Sequence, residues 1–170
     1  RVGVVVGRPL PYVYLARGVF ASGGVPLQSR DALPLAAEPF AAALDLVFSA
    51  VSTGFAAAPL LALLRSPHFV FRAADGELPT EAVAALAIGL SAFDHGGDAA
   101  RLESLAGEWE SGALEPPRDP RWNAAQAAHA ARTAAAVVRV LSPLAIEQPA
   151  SVLLRTLSEF LTACSRSIAP

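Results

Sequence analysis

Arg121, Arg132 and Arg139 are the residues whose type and spacing could do chemistry on a ligand. They stand 11 and 7 positions apart. At about 100° per residue, an α-helix brings each back to within about 20° of one face. Guanidinium groups in a row bind successive phosphates of a nucleic-acid backbone, which makes these three the candidate DNA contacts. The same row suits the solvated outer face of a helix. No aromatic residue alternates with the arginines as a stacking platform for bases requires. A formal net charge of −2 argues against a generally basic nucleic-acid binder, though not against a local basic stripe.

The remaining chemical candidates are weaker. The stretch DHGGD supplies Asp94, His95 and Asp98, at most three metal ligands, and a turn with Asp98 capping the next helix accounts for all of it. Around VVVGRPLP, Gly3 and Gly7 flank an apolar run but lack the spacing of a phosphate-binding loop. Pro9 and Pro11 also remove two backbone donors there. His68 and His129 read as structural. No serine or cysteine stands in a nucleophile elbow, and Cys164 falls on an apolar stripe as a buried, inert thiol. All 13 basic residues are arginine, so no Walker A loop, Asp…Glu-x-Lys nuclease centre or Schiff-base lysine can be complete in this chain. The expectation is therefore no catalytic residue, no metal and no cofactor.

These residues need a scaffold, and the composition allows one. The chain has 170 residues, 54 % hydrophobic and 16 % charged, enough for one domain with a core of its own. No run of about 18 apolar residues suggests a membrane span, and no signal peptide is visible. The single cysteine excludes an internal disulfide, and a reducing cytoplasm is the default. The absence of methionine suggests a processed chain or a piece of a longer protein.

The pattern predicts a mainly α architecture: a multi-helix bundle preceded by a short strand–helix element of α/β character. Val2–Val6 reads as a strand covered on both faces, Arg8 to Pro11 as a turn, and Tyr12–Ser22 as a helix with Tyr12, Leu15, Val19 and Phe20 spaced for one inward face. We place the element at residues 1–36 and the helical part at 37–170, with a linker near 111–120. From Pro39, the stripe Phe40, Leu44, Val47, Phe48 and Val51 marks a helix. A short helix runs from Pro59 to Arg65, Phe69–Phe71 follow as an apolar run, and residues 73–78 read as a loop. A helix from Pro79 turns in Val83, Leu86, Ala87, Leu90 and Phe93, and the next turns in Leu102, Leu105, Ala106 and Trp109. Asp119-Pro120 reads as the start of an alanine-rich helix from Arg121 towards Leu141. The last helix, after Pro149, carries Leu153, Leu154, Leu157, Phe160, Leu161, Cys164 and Ile168 on one stripe.

Two stretches together resemble a known family. Val4–Val6 followed by Arg8, the Tyr12–Ser22 helix, the Gly24-Val25-Pro26 step, the helix start from Leu35 to Phe40 and the LLRSP of Leu63 to Pro67 carry the likeness. They resemble the second motor-like half of superfamily 1 helicases of the UvrD/Rep type. The closer likeness is to the B subunit of AddAB-type helicase–nucleases and related proteins of the PD-(D/E)XK nuclease superfamily, which act in double-strand-break repair. The resemblance covers residues 1 to 72 and is compositional beyond. It implies that a helical subdomain is inserted after this point. PLPYVY, where working helicases place polar residues, fits the degenerate, non-motor member of the pair. The family's ATPase, nuclease and iron–sulfur motifs would lie outside this segment. No catalytic residue carries over, and Arg8 is given no nucleotide contact.

The resulting expectation is a non-catalytic helical segment of such a subunit, offering scaffolding and contact with DNA or with the partner helicase–nuclease subunit. An unpaired Val2–Val6 strand would also invite self-association. The alternatives are a self-contained helical module that binds protein partners and a regulatory domain with an apolar pocket for a small molecule.

Overall fold

The structure is a computed structural model, and it describes residues 9–28, 39–73, 76–93 and 96–166. The chain is mainly α-helical, with seven α-helices among these residues. Backbone contacts divide it into two units, Arg1–Ala41 and Ala42–Pro170. The expected strand Val2–Val6, Arg8, Leu35, Asp94, His95 and Ile168 lie outside the described residues.

In the first unit, helix α1 spans Pro9–Ser22. It begins three residues before the expected Tyr12, so Pro9 to Pro11, read as part of a turn, are helical. The first helical turn has no intrahelical partner for its N–H groups, and proline there loses nothing. The helix ends where the Val25 N–H donates to the Phe20 carbonyl at 2.9 Å. Leu15 and Val19, expected to be turned inward, are exposed.

Helix α2 spans Pro39–Ser52 and carries the chain into the second unit. Its buried positions are Ala43, Val47 and Ala50, while Phe48 is 49 % exposed. The expected stripe holds at Val47 and Val51 and fails at Phe48. Small alanines let the helix approach the core closely, and that contact outweighs turning in the larger phenylalanine.

Helix α3, Ala57–Leu64, buries Leu60, Leu63 and Leu64 and closes at Arg65, whose N–H reaches the Leu61 carbonyl. Phe69, Val70 and Phe71 are buried, as the apolar run suggested. Within 73–78, read as a loop, Ala73, Gly76 and Glu77 instead belong to two-residue strands, β1 (Arg72–Ala73) and β2 (Gly76–Glu77), paired antiparallel.

Helix α4, Thr80–Ala92, and helix α5, Ala99–Ser111, follow. Asp98 caps α5 as expected, accepting from the Ala100 N–H at 2.9 Å. The α5 stripe is the expected one, with Leu102, Leu105, Ala106 and Trp109 all buried. Gly112 stops the helix at φ +70°, a left-handed conformation that suits glycine.

Helix α6, Ala124–Leu141, is the centre of the unit and packs against α4, α5 and helix α7, Ala150–Cys164. Ten of its residues are buried, mostly alanines, and their small side chains permit close packing on several sides. A 3-10 turn, Ser142–Ala145, joins α6 to α7.

Helix α7 anchors through Phe160, whose ring meets Phe69 at 5.5 Å and Phe71 at 6.5 Å. The expected α7 stripe holds only in part, because Leu154 is 66 % exposed. Past α7 the chain runs back along the Phe69 segment. The Val70 N–H donates to the Cys164 carbonyl at 2.7 Å, and the Arg166 N–H donates to the His68 carbonyl at 2.9 Å.

Candidate nucleic-acid interface

The three arginines expected in one row are not on one helix. Helix α6 begins at Ala124, where Asn123 caps it by accepting from the Gln126 N–H at 2.9 Å. Asp119 is not the cap. Its carboxylate accepts from the Arg121 N–H at 2.9 Å and from the Arg121 guanidinium at 2.7 and 3.0 Å. The Trp122 N–H closes the same turn on the Asp119 carbonyl at 2.9 Å. Trp122 then packs edge-on against Trp109, with ring centroids 5.3 Å apart. This aromatic seat holds residues 119–122 as a turn and delays the helix.

Arg132 and Arg139 do lie on α6, but each is taken by a carboxylate of α5. Arg132 donates from both terminal nitrogens to Glu110, at 2.6 and 2.5 Å. Arg139 pairs with Glu103 at 2.5 Å. Glu103 and Glu110 are seven residues apart, as are the two arginines, so two matched rows meet along the α5–α6 seam. The Arg132 hydrogen bond is the main cause holding the Glu110 carboxyl below its ordinary value, and it raises Arg132 in turn. A phosphate would have to displace these glutamates.

Arg121 belongs to a different cluster. With Arg65 and Arg118 it borders an open cleft of about 510 Å³. Helix α4 forms the floor through small residues, among them Ala84, Ala87 and Ser91. Arg65 stands at the C-terminal end of α3, and Arg118 and Arg121 stand on the segment between α5 and α6. Among the described residues, Arg65 and Arg118 make no ion pair. Asp119 is the one carboxylate in the cleft lining, and Arg121 holds it at a pKa of about 2, chiefly by its side-chain hydrogen bonds. Three guanidiniums face one carboxylate, so the cleft is locally positive on a chain that is negative as a whole.

Gly89 of α4 makes room for two tryptophan rings. A β-carbon on Gly89 would stand 2.7 and 2.8 Å from Trp109 ring atoms and 3.0 Å from the Trp122 ring. Glycine therefore lets both indoles lie against α4, and Trp122 brings Arg118 and Arg121 to that helix. Trp109 is buried, and its indole nitrogen has no hydrogen-bond partner among the described residues.

Sequence reasoning missed Arg65 and Arg118. They are 53 positions apart and share no local pattern, and the proline-rich 111–120 segment was legible only as a linker. Asp98 acts as a cap, His68 offers its backbone carbonyl to Arg166, and half-buried His129 lies in the middle of α6. Among the described residues, no group of three or more His, Cys, Asp or Glu side chains is placed to hold a metal. None of the described helices is long and apolar enough to cross a membrane.

No family model matches the chain, and no curated protein or solved structure matches it either.

Proposed function

We propose that the chain is a non-catalytic helical segment of a DNA double-strand-break-repair helicase–nuclease subunit. It scaffolds its neighbours and touches DNA phosphates through Arg65, Arg118 and Arg121. One observation carries the DNA part: these arginines converge on one open cleft, and two of them lack a carboxylate partner among the described residues. Guanidiniums without aromatic stacking partners read charge and backbone shape rather than base sequence. The link to a helicase–nuclease subunit rests on the sequence resemblance of residues 1 to 72.

The test is fluorescence polarisation with a labelled 20-mer, duplex and single-stranded, across a salt series. The triple variant R65A/R118A/R121A should bind at least tenfold more weakly at low salt. Its log–log salt slope should be flatter by about 2–3, since each lost duplex phosphate contact removes about 0.9. R132A/R139A should bind within about twofold of the parent, because those arginines are already paired with Glu110 and Glu103. A triple variant that binds as tightly as the parent sinks the DNA reading.

A second reading is a helical module for protein partners. The exposed Phe48, Val140, Ile146 and Leu154 favour it. It would be supported if the arginine variants are silent in DNA binding while F48S or L154S weakens association with a partner subunit.

A further inference from the structure

We propose that a second hollow, between α6, α7 and β1, binds a small organic carboxylate with an apolar body, its carboxylate held by Arg72. The site shares no residue with the arginine cleft and does not depend on the DNA reading.

The hollow has a volume of about 390 Å³. That lies within the range of pockets that bury small ligands. The apolar part of its lining comes from Phe71 and Phe160 and from Val137 and Val140 of α6. Phe160 is fixed by its ring contacts with Phe69 and Phe71, so the aromatic wall is set by the core. An aromatic or branched body fits such walls, whereas a sugar or a bare ion does not.

The polar groups of the hollow lean one way. Arg72, Arg132, His129, Thr133 and Cys164 line it, and no carboxylate does. Arg132 is committed to Glu110 through both terminal nitrogens. The buried Thr133 hydroxyl donates to the His129 carbonyl at 3.1 Å. Burial pushes the Cys164 thiol up, so it stays neutral, with the positive charge of Arg72 acting in the opposite direction. Arg72 has no ion-pair partner among the described residues. A single available guanidinium beside an apolar hollow selects one negative charge on an otherwise apolar molecule.

Chemical-shift titration of the ¹⁵N-labelled chain with 3-phenylpropionate, and separately with 3-phenylpropanol, tests the proposal. Both compounds should shift amides of β1, α6 and α7, with the carboxylate bound about tenfold more tightly. R72Q should remove that preference and leave the alcohol within about twofold. Ala136 lines the hollow from an exposed position, so A136F should block both ligands while leaving the helical circular dichroism unchanged. The proposal fails if neither compound gives saturable shifts there. It also fails if carboxylate and alcohol bind equally, or if R72Q keeps the preference.

Discussion

The α5–α6 seam and the α3–α4 cleft both collect arginines, and they use them in opposite ways. In the seam, Arg132 and Arg139 meet Glu110 and Glu103 one to one. In the cleft, Asp119 is the one lining carboxylate beside Arg65, Arg118 and Arg121, and it is bound to Arg121. Spacing along one helix reveals a row of cations but not what the neighbouring helix sets against it. A seam with matched charges is satisfied within the chain, whereas a cleft with excess cation has capacity left for an anion from outside. The arginine row that looked most like a DNA contact in the sequence is thus the less available one.

The largest expected effect comes from the residue that makes room for the two tryptophan rings. Gly89→Val places side-chain atoms where the Trp109 and Trp122 rings now lie. Overpacking of this kind costs about 2–3 kcal/mol. For a chain of 170 residues that lowers Tm by on the order of 8 °C in a thermal melt. The displaced Trp122 should carry Arg118 and Arg121 off α4, so DNA affinity should fall with stability. If the melt drops but affinity holds at a temperature where the variant is folded, Trp122 does not position the arginines.

The second perturbation converts the seam into something like the cleft. E103Q/E110Q removes both carboxylates and frees Arg132 and Arg139, raising the formal charge by two. All four side chains are about half exposed, with relative accessibilities between 43 and 51 %. Exposed pairs of this kind add little to stability, so the melt should move by no more than a few degrees. DNA affinity at low salt should rise severalfold, with a salt slope steeper by one to two phosphate equivalents. Unchanged DNA binding would mean that the seam arginines face the wrong way for a phosphate backbone even when released.

The contrast between the regions also explains what the sequence could tell. The α5 helix was legible because its cap, Asp98, and its apolar stripe from Leu102 to Trp109 are local patterns that the core reads without change. Helix α2 was legible in its period and at Val47 and Val51 but not at Phe48, because the buried face is shifted towards Ala43 and Ala50. The start of α6 was misplaced because Asp119-Pro120 is a good local helix start, while the packing of Trp122 on Trp109 and Gly89 is a tertiary effect. Two of the three cleft arginines were illegible for the same reason. Arg121 was singled out for a helical register it does not have, and its actual companions, Arg65 and Arg118, come from separate segments of the chain.

Asp119 provides the smallest and most local test. Its carboxyl is lowered from an ordinary 3.8 to about 2, first by hydrogen bonds from the Arg121 guanidinium and next by the Arg121 backbone N–H. A depressed carboxyl contributes stability that is complete above the unfolded value and lost as pH falls through the folded one. The window here therefore runs from about pH 4 down to about pH 2. The pair is exposed, so the change in unfolding stability should be slight, and carboxyl ¹³C titration is the better measurement. The wild-type midpoint should lie near 2, and R121A should raise it part of the way to 3.8, because the backbone donor remains. The same titration reports on the cleft. A phosphate that takes the Arg121 guanidinium must release it from Asp119, so saturating DNA should raise the Asp119 midpoint as R121A does. Glu110, held by Arg132 in the seam, should not move. A DNA-induced rise at Glu110 without one at Asp119 would reverse the assignment of the two regions.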